Sequence, residues 1–87
     1  MADSAPESVR RHLSARQVLA ANIVTHRRAL GWSQEVLAFE AGLHRTFIAH
    51  VERQARNIAL DNLERLAHAL GVEPFELLLP KTDISGK

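Results

Sequence analysis

The sequence contains no cysteine, only four glycines and three prolines, and an aromatic content of 5%. Without cysteine the chain can form no disulfide and no thiolate metal site. It also has no apolar run near the 18 residues of a membrane-spanning helix, and its first residues lack the charged and apolar pattern of a secretory signal. We therefore expect a cytoplasmic protein with no membrane partner.

The chain is long enough for one small domain. Its 87 residues are 46% apolar, which is ordinary for a globular chain and argues against disorder throughout. The first nine residues are polar and include a proline, which is typical of disorder. We predict a disordered tail over residues 1–12, a folded domain over 13–80 and a short tail over 81–87.

The net charge of +1 conceals an asymmetry along the chain. Residues 10–57 carry eight arginines against three glutamates, whereas residues 1–9 and 58–87 each carry a net charge of −2. Clustered arginines suit a polyanionic partner, because they neutralise phosphates well. A solvated charged surface explains the same charges equally well, so charge alone leaves both interpretations open.

Apolar periodicity predicts helices and no strand. Five helices are expected, at about residues 14–30, 34–41, 45–53, 60–70 and 74–79. Ser14 and Gln17 form a capping-box pattern at the first helix, and Ser33 can cap the second. Gly42 can end the second helix because glycine tolerates a positive φ angle. Pro74 suits the first position of the fifth helix.

The same periodicity predicts which face of each helix is buried. The residues expected in the core are Leu19, Ile23 and Leu30; Val36 or Leu37, with Ala38; Phe47, Ile48 and Val51; and Leu60, Leu63, Leu66, Ala67 and Leu70.

Residues 33–52, SQEVLAFEAGLHRTFIAHVE, join two short helices at Ala41-Gly42. Together with LGW before them and Arg56-Asn57 and ALGV after them, they resemble the helix-turn-helix domain of the phage-repressor-like, XRE-type family of bacterial regulators. The resemblance covers about residues 16–79. It implies an all-α, compact five-helix DNA-binding domain whose helix-turn-helix lies at helices 2 and 3.

The sequence departs from the family's pattern in one loop. Gln54 stands where glycine is usual, Ile58 where proline is common, and Ala59 where a serine or threonine often caps the next helix. The last change should weaken that cap by about 1 kcal/mol. These departures affect loop geometry and leave the predicted fold unchanged.

The third helix is the expected reading helix, which the family lays in the major groove. If Phe47, Ile48 and Val51 face the core, helical spacing leaves another set of side chains on the opposite face. The expected base contacts are Arg45, Thr46, Ala49 and His50. Arg45 suits O6 and N7 of guanine, Thr46 and His50 offer further hydrogen bonds, and Ala49 permits close approach. A polar surface without function is the alternative.

Phosphate contacts are expected around the reading helix. By resemblance, the amide of Gln34 should bond a phosphate and brace Arg45. Arg53, Arg56 and Asn57 follow the reading helix and should set its register without reading sequence. Arg16 can join them from the first helix. Arg10 and Arg11 could form either a backbone-binding arm or a solubilising charge.

The resemblance also implies a structural ion pair between Arg27 and Glu52, which would fix the reading helix against the first helix. Two independent surface charges are the alternative.

No metal, cofactor or catalytic site is expected. The five histidines include no pair at i, i+4 and have no neighbouring thiol. The serines at positions 14 and 33 serve as helix caps, and no pair of carboxylates marks a cleft. We therefore expect a protein that is not an enzyme.

These features together predict a sequence-specific transcriptional regulator that binds double-stranded DNA as a homodimer, as a repressor or an autoregulatory controller on an inverted-repeat operator. The fifth helix has more large apolar side chains than one face can bury, which makes Phe75, Leu78 and Leu79 the expected dimer interface. Only residues 81–87 follow, so no small-molecule effector domain is expected. An antitoxin-like or adaptor module that binds a protein is the alternative.

Overall fold

The computed structural model describes residues 14–80. Four α-helices and one 3-10 helix follow one another: α1 (Ala15–Ala29), α2 (Gln34–Ala41), α3 (Arg45–Glu52), α4 (Leu60–Leu70) and the 3-10 helix (Pro74–Leu78). No strand occurs in this part of the chain. The predicted tails, with Arg10 and Arg11, lie outside the described residues.

The expected fifth α-helix is a 3-10 helix instead. Pro74 is its first residue, and the backbone is already extended at Leu79, next to Pro80. A segment bounded so closely by prolines is too short for a stable α-helix, and short segments often adopt the tighter 3-10 geometry. Leu77, in this helix, is fully buried and packs in the core.

Local capping rules predict the helix starts well. The Ser14 hydroxyl accepts a hydrogen bond from the backbone N–H of Gln17 at 3.1 Å, and the Gln17 side chain accepts one from the Ser14 N–H at 2.8 Å. The Ser33 hydroxyl accepts from the Val36 N–H at 3.0 Å. At α4, Ala59 provides no side-chain cap, as expected for alanine at this position.

One core joins all five helices. Its members are Leu19, Ile23, Leu37, Ala38, Ala41, Ile48, Val51, Leu63, Leu66, Ala67, Leu70 and Leu77. In α2, Leu37 is buried, whereas Val36 is 38% exposed. Phe47 is only partly buried.

Two predicted core residues are exposed. Leu30 is 46% exposed because α1 ends at Ala29 and the chain turns at Gly31, where the apolar stripe of the helix no longer applies. Leu60 is 76% exposed because it is the first residue of α4, a full turn before the first buried leucine of that helix. Periodicity therefore predicted the helix faces correctly but extended them too far at the helix ends.

The turn between α2 and α3 fixes how the two helices cross. Gly42 has φ = 73°, the Leu43 N–H donates to the Ala38 carbonyl at 2.9 Å, and the Gly42 N–H donates to the Phe39 carbonyl at 3.2 Å. This hydrogen-bond pair is the Schellman motif, which requires a left-handed residue at its centre. Glycine adopts that conformation without steric cost, so α3 can start three residues later in a new direction.

The end of α3 uses the same motif without glycine. The Ala55 N–H donates to the His50 carbonyl at 2.8 Å, and the Gln54 N–H donates to the Val51 carbonyl at 2.9 Å. Gln54, at the centre, has φ = 64° and is the only residue other than glycine with positive φ within residues 14–80. The position where the sequence departs from glycine is therefore a position of backbone strain.

We predict that Gln54→Gly raises the free energy of unfolding by about 1 kcal/mol. Glycine relieves the roughly 1–2 kcal/mol that the left-handed conformation costs an L-residue, and this gain exceeds the stability lost to the greater entropy of glycine in the unfolded chain. Chemical denaturation measures the change. Ala55→Gly is the matched control: Ala55 lacks a positive φ angle, so this change should not stabilise the fold. Equal effects of both substitutions would contradict the strain at Gln54.

A buried asparagine that sequence reasoning missed positions the C-terminal segment. Asn22 is 2% exposed, and its side-chain nitrogen donates to the carbonyls of Leu77 at 2.9 Å and Leu79 at 2.8 Å. These bonds join α1 to the 3-10 helix, across 55 and 57 residues of chain. Asn22 thus fixes the backbone of Leu77 and Leu79 against α1.

Candidate nucleic-acid interface

The outward face of α3 is polar at its start and partly covered further on. Arg45, Thr46 and Arg53 are exposed, while Ile48 and Val51 are buried. Ala49 and His50 were expected on the solvent face but are only partly exposed. The reason is that α3 packs against both α1 and α2. Two packing partners cover more of the helix than a single buried stripe would, so less of its surface is free.

The ring of His50 is buried on one side. Its Nδ1 atom is buried and has no hydrogen-bond partner among residues 14–80. The residue as a whole is partly exposed, so only the rest of the ring can contact DNA.

A buried ion pair connects α3 to α1. Arg27 donates from Nε to Oε2 of Glu52 at 2.7 Å and from Nη2 to Oε1 at 3.0 Å, and the two side chains are 10% and 7% exposed. The Nη1 atom of Arg27 also donates to the Trp32 carbonyl at 2.9 Å. One guanidinium therefore holds α1, the end of α3 and the turn before α2 together.

Gln34, the first residue of α2, joins this network. Its Nε2 atom donates to Oε1 of Glu52 at 2.8 Å. This contact was not predicted, because no sequence rule connects residues 18 positions apart on different helices. The bracing of Arg45 by Gln34 stays a prediction, since the hydrogen bond of the amide within residues 14–80 is the one to Glu52.

The other candidate phosphate contacts form a second group. Arg16, at the start of α1, donates to the side-chain oxygen of Asn57 in the loop after α3. Arg56 lies over the Phe47 ring, with its guanidinium carbon 5.7 Å from the ring centre. Arg16, Arg53, Arg56 and Asn57 are all exposed. The loop after α3 is thus held to α1 on one side and to α3 on the other.

Several exposed apolar side chains lie at the C-terminal end of the described chain. Phe75 is 62% exposed, Leu78 44% and Leu79 51%. Leu78 also lines an open cleft with Leu60, which is 76% exposed. These four side chains are referred to below as the C-terminal apolar surface.

Within residues 14–80, no group of three or more histidine or acidic side chains is placed to hold a metal ion. A search of the same residues finds no helix with the length and apolar character needed to cross a membrane.

Comparison with known proteins identifies the family. A family model described as helix-turn-helix matches residues 25–77, which is more than half of the chain. The chain belongs to the helix-turn-helix family. The match begins within α1 and ends in the 3-10 helix, so it includes the α2–α3 turn and the Arg27–Glu52 pair.

Relatives of this helix-turn-helix protein include regulators. It is 54% identical over 65 residues to a hypothetical transcription factor of Neisseria meningitidis serogroup B, a match that covers 75% of this chain and 61% of that protein. The matched region is therefore about three fifths of the relative's length.

Two solved structures have the same fold. The restriction-modification controller protein C.AhdI from Aeromonas hydrophila is 44% identical, with a TM-score of 0.69 over 71% of this chain and 94% of that one. The controller protein C.Esp1396I, solved as a tetramer with its natural 35 base-pair operator, is 31% identical, with a TM-score of 0.69 over 77% of this chain and 92% of that one.

Proposed function

We propose that this protein is a sequence-specific DNA-binding transcriptional regulator that places α3 in the major groove. The observation that carries the proposal is the exposed pair Arg45 and Thr46 in the first turn of α3, directly after the Gly42 turn. The first residues of a recognition helix are the ones that reach base edges. The buried centre of a helix face that bound a protein would instead be enriched in large aromatic and apolar groups.

Each polar group has a specific role in this proposal. Arg45 hydrogen-bonds guanine O6 and N7, Thr46 meets a base edge or a thymine methyl, and His50 reaches a purine acceptor. Ala49 leaves room for the bases. Backbone phosphates are bound by Gln34, Arg53, Arg56, Asn57 and Arg16. These contacts fix the register of α3 without reading sequence.

The protein acts as a homodimer in this proposal. One α3 offers only a few base-reading side chains, too few for specificity within a genome, and a two-fold dimer doubles the number. C.Esp1396I, which was solved as a tetramer on its operator, supports an oligomer on DNA. The names of the controller relatives support a role as a repressor or an autoregulatory controller, which is a cytoplasmic function and not an enzymatic one.

Arg45→Ala tests the assignment. If Arg45 reads a guanine, the variant should bind the preferred site more weakly by about 1–3 kcal/mol and lose preference at one base pair per half-site. Equilibrium titration of the preferred duplex and of a set of single base-pair variants measures both effects.

Arg53→Ala is the matched control on the same helix. Arg53 is assigned to a phosphate, so its removal should weaken binding equally on all sequences and reduce the salt dependence of binding by about one counterion per protomer. If Arg45→Ala behaves in the same way, Arg45 also contacts a phosphate and the proposed readout is wrong.

A further inference from the structure

A buried acid lies next to a residue assigned to DNA binding. Oε1 of Glu52 accepts a hydrogen bond from Gln34 Nε2 at 2.8 Å, while Arg27 binds both carboxylate oxygens at 2.7 and 3.0 Å. A negative charge near DNA repels phosphate, so it weakens binding unless it has another effect. Arg27 alone already bonds both carboxylate oxygens, so the ion pair does not require the additional hydrogen bond from Gln34.

This additional hydrogen bond determines the orientation of the Gln34 amide. An amide has a donor end and an acceptor end of almost the same shape, whereas an ionised carboxylate only accepts hydrogen bonds. Gln34 must therefore turn its nitrogen toward Glu52. The nitrogen carries two hydrogens, and Glu52 engages one of them, so the second remains available as a donor.

Because Arg27 holds the carboxylate, the orientation of the amide is set before DNA arrives. Gln34 is partly exposed, and a free glutamine side chain at such a position would sample several rotamers and both amide orientations. A group that is already oriented loses less entropy on binding.

We infer that Glu52 is a positioning residue for DNA binding: its carboxylate orients the Gln34 amide so that the second N–H points to a backbone phosphate. The inference rests on the proposed function, in which Gln34 contacts a phosphate. Glu52 itself does not contact DNA. Its unfavourable charge is offset by Arg27, and its contribution comes through Gln34.

Glu52→Gln distinguishes positioning from simple electrostatics. The substituted side chain has nearly the same shape, but it can donate as well as accept, so the Gln34 amide is free to turn over. A reversed amide presents its oxygen to the phosphate, an acceptor facing an acceptor. Positioning therefore predicts weaker binding, whereas removal of a negative charge by itself predicts tighter binding.

The experiment measures DNA affinity of Gln34→Ala, Glu52→Gln and the double variant on the preferred duplex and on a random duplex. Each single change should weaken binding about tenfold on both duplexes, the size of one hydrogen bond to a charged group. The double variant should be no weaker than Gln34→Ala alone, because both changes remove the same contact. The salt dependence of Gln34→Ala should match that of the wild type, since the amide is neutral.

Tighter binding by Glu52→Gln, or a double variant weakened by the product of the two single effects, would overturn the inference. The folded fraction of each variant is measured under the binding conditions, so that loss of fold is not counted as loss of affinity.

The wild-type protein gives a second test that needs no substitution. In nuclear magnetic resonance spectra, one side-chain amide proton of Gln34 should already be shifted by Glu52 in the free protein, and DNA should shift the other. If DNA instead returns the first proton to its free position, Gln34 has left Glu52 and the inference is wrong. Failure of the wild type to bind any duplex would contradict the proposed function itself.

Discussion

Glu52→Ala is expected to lower the free energy of unfolding by about 3 kcal/mol. The substitution leaves the Arg27 guanidinium charged and buried without its partner, and breaking a buried pair from one side costs about 3–5 kcal/mol. The Trp32 carbonyl remains bonded to Arg27 and keeps the expected cost at the lower end of that range. Chemical denaturation, followed by circular dichroism, measures the change.

Glu40→Ala is the matched control for this experiment. Glu40 is an exposed acid near the end of α2, and surface substitutions of this kind usually change stability by less than 0.5 kcal/mol. If Glu52→Ala also falls below that value, the Arg27–Glu52 pair does not hold α3 to α1 in solution. Arg27 would then not hold the Glu52 carboxylate in one place, and Glu52 could not orient the Gln34 amide.

Leu79→Asp is expected to convert a dimer into monomers and to weaken operator binding by about 10²–10⁴-fold. Leu79 is 51% exposed beside Phe75 and Leu78, and Asn22 holds its carbonyl in place. A charge buried in an apolar interface is strongly unfavourable. Loss of the dimer removes the gain from binding two half-sites together. Sedimentation at micromolar concentration, with and without DNA, measures both effects.

Phe39→Asp is the control for this second prediction. Phe39 is 82% exposed on α2, outside the C-terminal apolar surface, so its substitution should leave self-association unchanged. A wild-type chain that stays monomeric and binds one asymmetric site as a single copy would contradict the dimer. If Leu79→Asp leaves a dimer intact, only the proposed interface is wrong.

The elements that follow from local chemistry could be predicted from sequence. The caps at Ser14 and Ser33 and the turn at Gly42 depend on residues within five positions of one another, and all three are confirmed. The start of α2 and the position of the turn followed from them, and the buried face of α3 at Ile48 and Val51 followed from apolar periodicity. The family resemblance rested on the same segment.

Features that depend on distant contacts could not be predicted in the same way. In the sequence, Asn22 is only a polar residue among the apolar residues of α1. Its role depends on the carbonyls of Leu77 and Leu79, which only the folded chain brings next to it. The bond from Gln34 to Glu52 and the partial burial of His50 likewise depend on how the helices pack. Periodicity predicts the direction in which a side chain points, but not whether another helix covers it. The prediction that Leu60 lies in the core was wrong because Leu60 stands at the first residue of α4, where it stays 76% exposed.

Selection of bound sequences from random duplex DNA tests the central claim most directly. Two copies of α3 related by a two-fold axis should select an inverted repeat whose half-sites lie about 10 base pairs, or 34 Å, apart between centres. Arg45→Ala should relax one symmetric pair of positions in that repeat, which should contain a guanine. A pool without an enriched sequence, or a repeat that Arg45→Ala leaves unchanged, would contradict the account of α3 as the reading helix.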